Sequence, residues 1–306
     1  MTDSLAIYQS APIQASTDAQ LIEMWLHDRP VNTQKAYRQH IGKFWEYIEG
    51  YRKGDYVPRL REISLGTLQG FQTYLKVERI LRDKSVSCHM STVKSLFTFA
   101  QRIGYIQFNP AAVIKLRKPK DTLAQRLLDR ATVIRMIDAE QNPRNRALMR
   151  LLYVSGIRSS EAISLRACDL LKHETGGQIT VTAKGGKTLA VWIDQTTWEM
   201  IDGMRTILAL PGKEWSSPEE YIFRTSTDRP LHLNHVLKIV RAAAKRVGIN
   251  KNVSPHWLRH ATATHLMDFG VSLVAIKEHL GHETIQTTTR YTHVKPSAAN
   301  AKLLAW

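Results

Sequence analysis

His256, Arg259, His282 and Tyr291 crowd into one stretch, Ser254 to Val294, on short segments divided by glycine. His256 and Arg259 stand three apart in the first turns of a helix, so they share a face. That face lies at the helix N-terminus, where unpaired N–H groups and the dipole favour an anion. A guanidinium and an imidazole directed at one anion indicate a phosphate. The Tyr291 hydroxyl adds a nucleophile, and the histidines add acid–base partners. A single His or Tyr in a helix is ordinarily a satisfied polar group, so the cluster needs support from the rest of the chain. His256 and His260 also have the spacing of a zinc helix, but Trp257 stands where that chemistry needs Glu. No metal site is expected.

The elements that position these residues are legible in the spacing. Ser254 suits an N-cap and Pro255 a first helical residue. Leu258, Ala261, Thr262, Leu266 and Phe269 then form the expected buried stripe. Gly270 ends this helix. A second helix, about 273–280, buries Leu273, Val274, Ile276 and Leu280. Gly281 stops it and presents His282. Thr284 suits the cap of a third helix, with Tyr291 near its end.

The whole chain has 306 residues, 43% of them apolar, enough for two domains with cores of their own. Its formal net charge of +16 calls for a polyanionic partner. No apolar run reaches the ~20 residues of a membrane span, and no signal sequence opens the chain, so nucleic acid is favoured over a membrane surface. Cys88 and Cys168 lack metal spacing and read as reduced residues of a cytoplasmic protein.

Residues 1–16 read as a loose tail and 17–108 as a four-helix unit. Its helices carry Leu21, Ile22, Trp25 and Leu26; Tyr37, Ile41, Phe44, Trp45 and Ile48, opened by Asn32 or Thr33; Leu68, Phe71, Leu75 and Val77, capped by Ser64; and Val93, Leu96, Phe97 and Ala100, started by Ser85 and ended near Gly104. Lys35, Arg38, Lys43, Arg82, Lys84 and Lys94 are candidate contacts to a phosphate backbone, though basic residues are more often solvated surface. Residues 109–124, with Pro110 and Pro119 around Lys115, Arg117, Lys118 and Lys120, read as a semi-extended basic linker.

Residues 125–306 form the second domain. Helices at about 129–140 and 143–154 lead into S-G-I-R-S-S-E-A. Gly156 suits a helix end and Ser159 or Ser160 a cap, with Arg158 in the turn and Glu161 placed to orient it. Gln178–Ala183 and Thr188–Ile193 alternate as strands, joined by K-G-G-K, so Lys184 and Lys187 stand at a hairpin tip. Such a hairpin is able to carry a proton donor to a substrate, and is also a common surface turn.

The motifs G-I-R-S-S-E-A, A-K-G-G-K, H-W-L-R-H, L-G-H-E and T-R-Y-T-H-V, in that order, closely resemble the tyrosine recombinase (phage integrase) family, most of all its Xer-like members. The resemblance covers nearly everything after residue 16. It implies a mainly α fold with a small antiparallel β-sheet: a helical, SAM-like core-binding domain followed by a catalytic domain, closing on duplex DNA. It places Arg158, Lys184, His256, Arg259, His282 and Tyr291 in the six active-site positions, with Glu161 supporting Arg158. Lys184 precedes the turn glycine, as the family's lysine does, although Lys187 lies on the same hairpin.

By the same resemblance, Tyr291 attacks a DNA phosphate to give a 3′-phosphotyrosyl link and a free 5′-hydroxyl, with neither metal nor ATP. The implied target is two inverted half-sites bound by a tetramer in synapsis, with or without a second recombinase. The apolar tail 296–306 then packs on a neighbouring subunit or on its own domain. A type IB topoisomerase-like enzyme and a non-catalytic DNA-binding protein of the same fold are the other two readings.

Overall fold

The computed structural model describes residues 14–50, 57–116, 123–182, 186–207, 217–227, 229–281, 284 and 288–289. The chain divides into two compact units, Met1–Lys120 and Asp121–Trp306.

The first unit is helical: α1 (Asp18–Leu26), α2 (Val31–Glu49), α3 (Leu65–Val77) and α4 (Asp83–Arg102). Each helix buries one stripe, and the stripes meet in a core holding Leu21, Trp25, Phe44, Ile48, Leu68, Phe71, Leu75, Val93, Leu96 and Phe97. Phe44 lies edge-on to Phe71 at 5.0 Å and to Phe97 at 6.4 Å between centroids, the arrangement that the ring quadrupole favours. Ser64 caps α3 by accepting from Thr67 N. Helix α2 starts at Val31, earlier than Asn32 or Thr33 suggests, because Pro30 supplies an extended cap residue. Helix α4 starts at Asp83, two residues before Ser85, with an acidic side chain in the first turn. Val77 is 68% exposed and does not join the core. It ends α3 beyond the last turn that packs.

The segment expected to run as a linker starts out packed on this unit. Ala111 and Ile114 join the core, Asn109 accepts from Ala111 N, and Lys94 donates to the carbonyls of Ala112 and Ile114.

The second unit holds α5 (Arg130–Asp138), α6 (Pro143–Ser155), α7 (Ser159–Ser164), β1 (Leu170–His173), β2 (Gly176–Thr182), β3 (Thr188–Asp194), α8 (Gln195–Ile207), α9 (Leu233–Arg246), α10 (Pro255–Asp268) and α11 (Leu273–Leu280). The three strands form one antiparallel sheet in sequence order. Strands β2 and β3 pair from Gly176↔Asp194 to Thr182↔Thr188. Strand β1 is an addition to the two strands that alternation indicates; four residues are too few to show a period. Ile179, Val181, Val191 and Ile193 face the core with the buried sides of α6, α8 and α9.

Helix α10 is buried on nearly every side from Leu258 to His265. A single apolar stripe is therefore too narrow a description of it, and Phe269, just beyond it, is 67% exposed. Val274 of α11 is also exposed, while Ile276 and Leu280 are buried.

Candidate active site

Helix α6 ends at Gly156, whose φ of +62° takes the left-handed conformation open to glycine at little cost. The chain then extends through Ile157 and Arg158 into α7. Arg158 itself occupies the cap position, so neither Ser159 nor Ser160 caps the helix as expected. The reason is Glu161. Its Oε2 accepts from the Arg158 backbone N–H at 2.7 Å, and its Oε1 accepts from Arg158 Nη1 at 2.7 Å. One carboxylate, favoured at this helix N-terminus by the dipole, holds Arg158 by main chain and side chain together. Glu161 is 7% exposed, so this is not a solvent-screened surface pair.

Arg259 comes from the second turn of α10 and is 3% exposed. Its Nη1 donates to the Gly156 carbonyl at 2.5 Å and its Nη2 to the Leu280 carbonyl at 2.7 Å. Gly156 lies two residues before Arg158, and Leu280 two residues before His282. The planar guanidinium thus ties together the two segments that carry or lead into candidate residues, with two of its five N–H donors.

Packing joins the same segments. A Cβ on Gly156 would lie 2.4 Å from Leu280 Cδ2, so only glycine admits this approach. A Cβ on Gly281 would lie 2.7 Å from Leu189 Cδ2. Leu189 belongs to β3, just inside the hairpin, so the hairpin stem lies against the residue that precedes His282. The base of the lysine hairpin, the end of α11 and the Arg158 loop are therefore neighbours, though over 100 residues separate the first and last of them in sequence.

His256 stands exposed in the first turn of α10, its ring edge-on to His260 at 4.8 Å between centroids. Nearby, His265 bonds through Nε2 to the Leu128 carbonyl at 3.1 Å. A carbonyl only accepts, so Nε2 carries the hydrogen and Nδ1 accepts from the Tyr153 hydroxyl at 2.9 Å. Burial pushes the Tyr153 phenol above its ordinary value. Lys184, His282 and Tyr291 lie outside the described residues, as do Arg117, Lys118 and Lys120.

The candidate DNA contacts divide. Lys35, Arg82, Lys84, Lys115 and Lys187 are exposed, and Lys43 is half-buried. Arg38 is engaged by Glu23 in a two-pronged ion pair at 2.7 and 2.8 Å. Lys94 spends its ammonium on the carbonyls of Ala112 and Ile114, which makes it a tie for the packed connection.

Sequence spacing offers no candidate on α9, yet this helix presents Lys238, Arg241 and Lys245 along its exposed face. No partner is seen for them among the described residues. The signal is present in Val236, Ile239, Val240, Ala243 and Ala244, whose buried spacing sends the intervening cations outward.

The chain is similar to known proteins over most of its length. The model of the phage integrase family matches residues 125–298, and that of the phage integrase SAM-like domain matches residues 20–117. The chain is 31% identical over 277 residues to tyrosine recombinase XerD of Oceanobacillus iheyensis, covering 89% of this chain and 90% of that one. It is 34% identical over 274 residues to tyrosine recombinase XerC of Thermodesulfovibrio yellowstonii, covering 86% of each. Among solved structures, XerH recombinase bound to palindromic difH substrate, a post-cleavage complex, superposes with a TM-score of 0.70 at 20% identity over 96% of this chain and 86% of that one. A lambda integrase tetramer bound to a Holliday junction gives 0.68 at 19% identity over 89% and 75%.

A helical unit followed by a mainly α unit with a three-stranded antiparallel sheet is the architecture of an integrase-type recombinase. The chain belongs to the phage integrase family, the tyrosine recombinases. It is accordingly an enzyme of site-specific DNA recombination.

Proposed function

We propose that the reaction runs through Tyr291 and the six-residue set Arg158, Lys184, His256, Arg259, His282 and Tyr291. The Tyr291 oxygen attacks the scissile phosphorus, one P–O bond forms, and the bond to the 5′-oxygen breaks. His256 takes up the phenolic proton and Lys184 supplies one to the departing 5′-oxygen. Arg158 and Arg259 face the two non-bridging oxygens as charge shifts in the transition state. His282 holds the phosphate or the tyrosine by a hydrogen bond. Exchange of one phosphodiester for another is nearly isoenergetic, so rejoining is the same step in reverse, without ATP. The observation that carries this reading is the Arg259 guanidinium, which ties the Arg158 loop to the segment that leads into His282.

In this reading the substrate is duplex DNA with two inverted half-sites. Exposed cations of α2, α4 and α9 meet its phosphates, and four protomers assemble in synapsis in the cytoplasm. Two observations support it: the family's solved structures include complexes with DNA, and among the described residues no helix is long and apolar enough to cross a membrane.

The test is covalent capture. Wild-type protein and Tyr291→Phe are incubated with sheared genomic and plasmid DNA in EDTA without ATP, and the DNA ends in detergent-resistant adducts are sequenced. The expected result is adducts from wild type alone, at one recurring sequence with inverted half-sites. Adducts from Tyr291→Phe would exclude this nucleophile, and adducts at scattered sequences would indicate topoisomerase-like action. No adducts with DNA binding intact would indicate a binding protein or an absent partner recombinase, and adding candidate partners separates the two.

A further inference from the structure

The last turn of α6 has carbonyls that its own helix cannot use. Side chains of α10 and α11 supply donors to two of them and to the carbonyl of the cap residue, Gly156. Thr262 Oγ1 lies 2.5 Å from the Tyr153 carbonyl, His279 Nε2 3.2 Å from that of Val154, and Arg259 Nη1 2.5 Å from that of Gly156. Since a carbonyl only accepts, the hydrogen of His279 sits on Nε2. His279 is half-buried on α11, and burial is the main reason its pKa lies below the ordinary imidazole value. The bond to Val154 opposes that shift and the charge of Arg259 adds to it. At neutral pH, His279 is therefore an uncharged, directional donor with no part in the six-residue set.

We propose that His279 is a positioning residue for strand cleavage: its bond to Val154 fixes the end of α11, and with it the approach to His282, against the loop that carries Arg158. The proposal rests on the reaction set out above. Among the described residues, the end of α11 is linked to other segments by side-chain hydrogen bonds from Arg259 to the Leu280 carbonyl and from His279 to the Val154 carbonyl. In that reaction Arg259 also directs its remaining donors at phosphate oxygens, so substrate competes with the carbonyls for the orientation of its guanidinium. Substrate does not compete for His279. Its bond keeps α11 in register with α6 while Arg259 engages the phosphate, and misplacement of catalytic groups by about 1 Å is enough to cost roughly a hundredfold in rate.

The experiment measures single-turnover adduct formation on a duplex carrying the site recovered by covalent capture, nicked in the spacer so that cleavage is trapped. Wild type is compared with His279→Leu, His279→Asn and His279→Gln at saturating DNA, with binding affinity and melting temperature measured for each. The Gln amide reaches the position of Nε2 and donates from it, the Asn amide ends short of it, and Leu has no donor.

The expected result is DNA affinity close to wild type in all three. Adduct formation should be about tenfold to a hundredfold slower for Leu and Asn, and restored to within a few-fold by Gln. Wild-type rates for Leu and Asn would overturn the role, as would a Gln variant as slow as Leu despite wild-type melting. A rate loss that only tracks the loss of folded protein would also overturn it. Absence of adduct from wild type itself would instead overturn the tyrosine chemistry on which the role depends.

Discussion

Arg259 and Leu280, twenty-one residues apart, meet through a 2.7 Å hydrogen bond from Nη2 to the main-chain carbonyl. With the companion bond to Gly156, a charged side chain that is 3% exposed becomes the junction of α6, α10 and α11. Arg259→Lys keeps the charge but replaces a two-pronged planar donor with a point ammonium that cannot reach both carbonyls in line. The variant should be destabilised by about 1–3 kcal/mol in urea denaturation. Its adduct formation should fall more than a hundredfold at saturating DNA, since in the proposed reaction the same fork serves the transition state. Unchanged cleavage would remove Arg259 from both roles.

Gly156 and Gly104 separate conformational strain from steric overlap. Both have positive φ, +62° and +74°, but a Cβ meets Leu280 Cδ2 at 2.4 Å at the first and nothing within 4 Å at the second. Gly104→Ala should cost about 1 kcal/mol for the left-handed backbone alone. Gly156→Ala should cost about 1–3 kcal/mol more, as Leu280 is forced off its site. It should also slow cleavage, whereas Gly104→Ala should not. Equal stabilities for the two variants would mean that Leu280 yields freely.

Lys238 and Lys94 make a matched pair for DNA binding. Lys238 lies exposed on α9, while Lys94 donates to the carbonyls of Ala112 and Ile114. Removal of one phosphate contact lowers the slope of log K against log salt by about 0.9. Lys238→Ala should show that change and melt as wild type does. Lys94→Ala should leave the slope unchanged and lower the melting temperature. The opposite pattern would reassign both residues.

Asp129 provides a pH signature in the catalytic unit. It caps α5, accepting from the Thr132 backbone N–H and hydroxyl, both at 2.8 Å. The backbone bond, then the side-chain bond, hold its carboxyl below the ordinary carboxylate value. The folded pKa is lowered, so this stabilisation is complete above the unfolded pKa of about 3.9 and is lost as pH falls through the folded value. Asp129→Asn keeps a capping oxygen but does not titrate. The stability of wild type relative to this variant should be constant from neutral pH down to about 5 and decline below about 4. A difference that is flat through that range would mean that the carboxylate charge contributes nothing.

Much of the fold was legible in local chemistry. Apolar spacing located α1 to α4 and most of their core, since Leu21 and Trp25, Phe44 and Ile48, Leu68, Phe71 and Leu75, and Val93 and Phe97 recur at helical intervals within each helix. Gly156, Gly270 and Gly281 marked segment ends because each adopts positive φ. The motif around Arg158 even disclosed its partner, since Glu161 is three residues away and acts within one helical turn.

What the spacing could not show is whatever depends on long-range partners. Lys94 and Lys84 look alike in sequence; the carbonyls of Ala112 and Ile114 make one of them a structural tie. Val274 fits the apolar stripe of α11 but finds no surface to cover. Residue type and local spacing supplied candidate groups for phosphoryl transfer, and it was the resemblance of their motifs to the tyrosine recombinases that assigned the six roles proposed for them. The tertiary structure decided how Arg259 and His279 bind the main chain of α6, because hydrogen-bond geometry between segments more than a hundred residues apart is set by packing and leaves no period in the sequence.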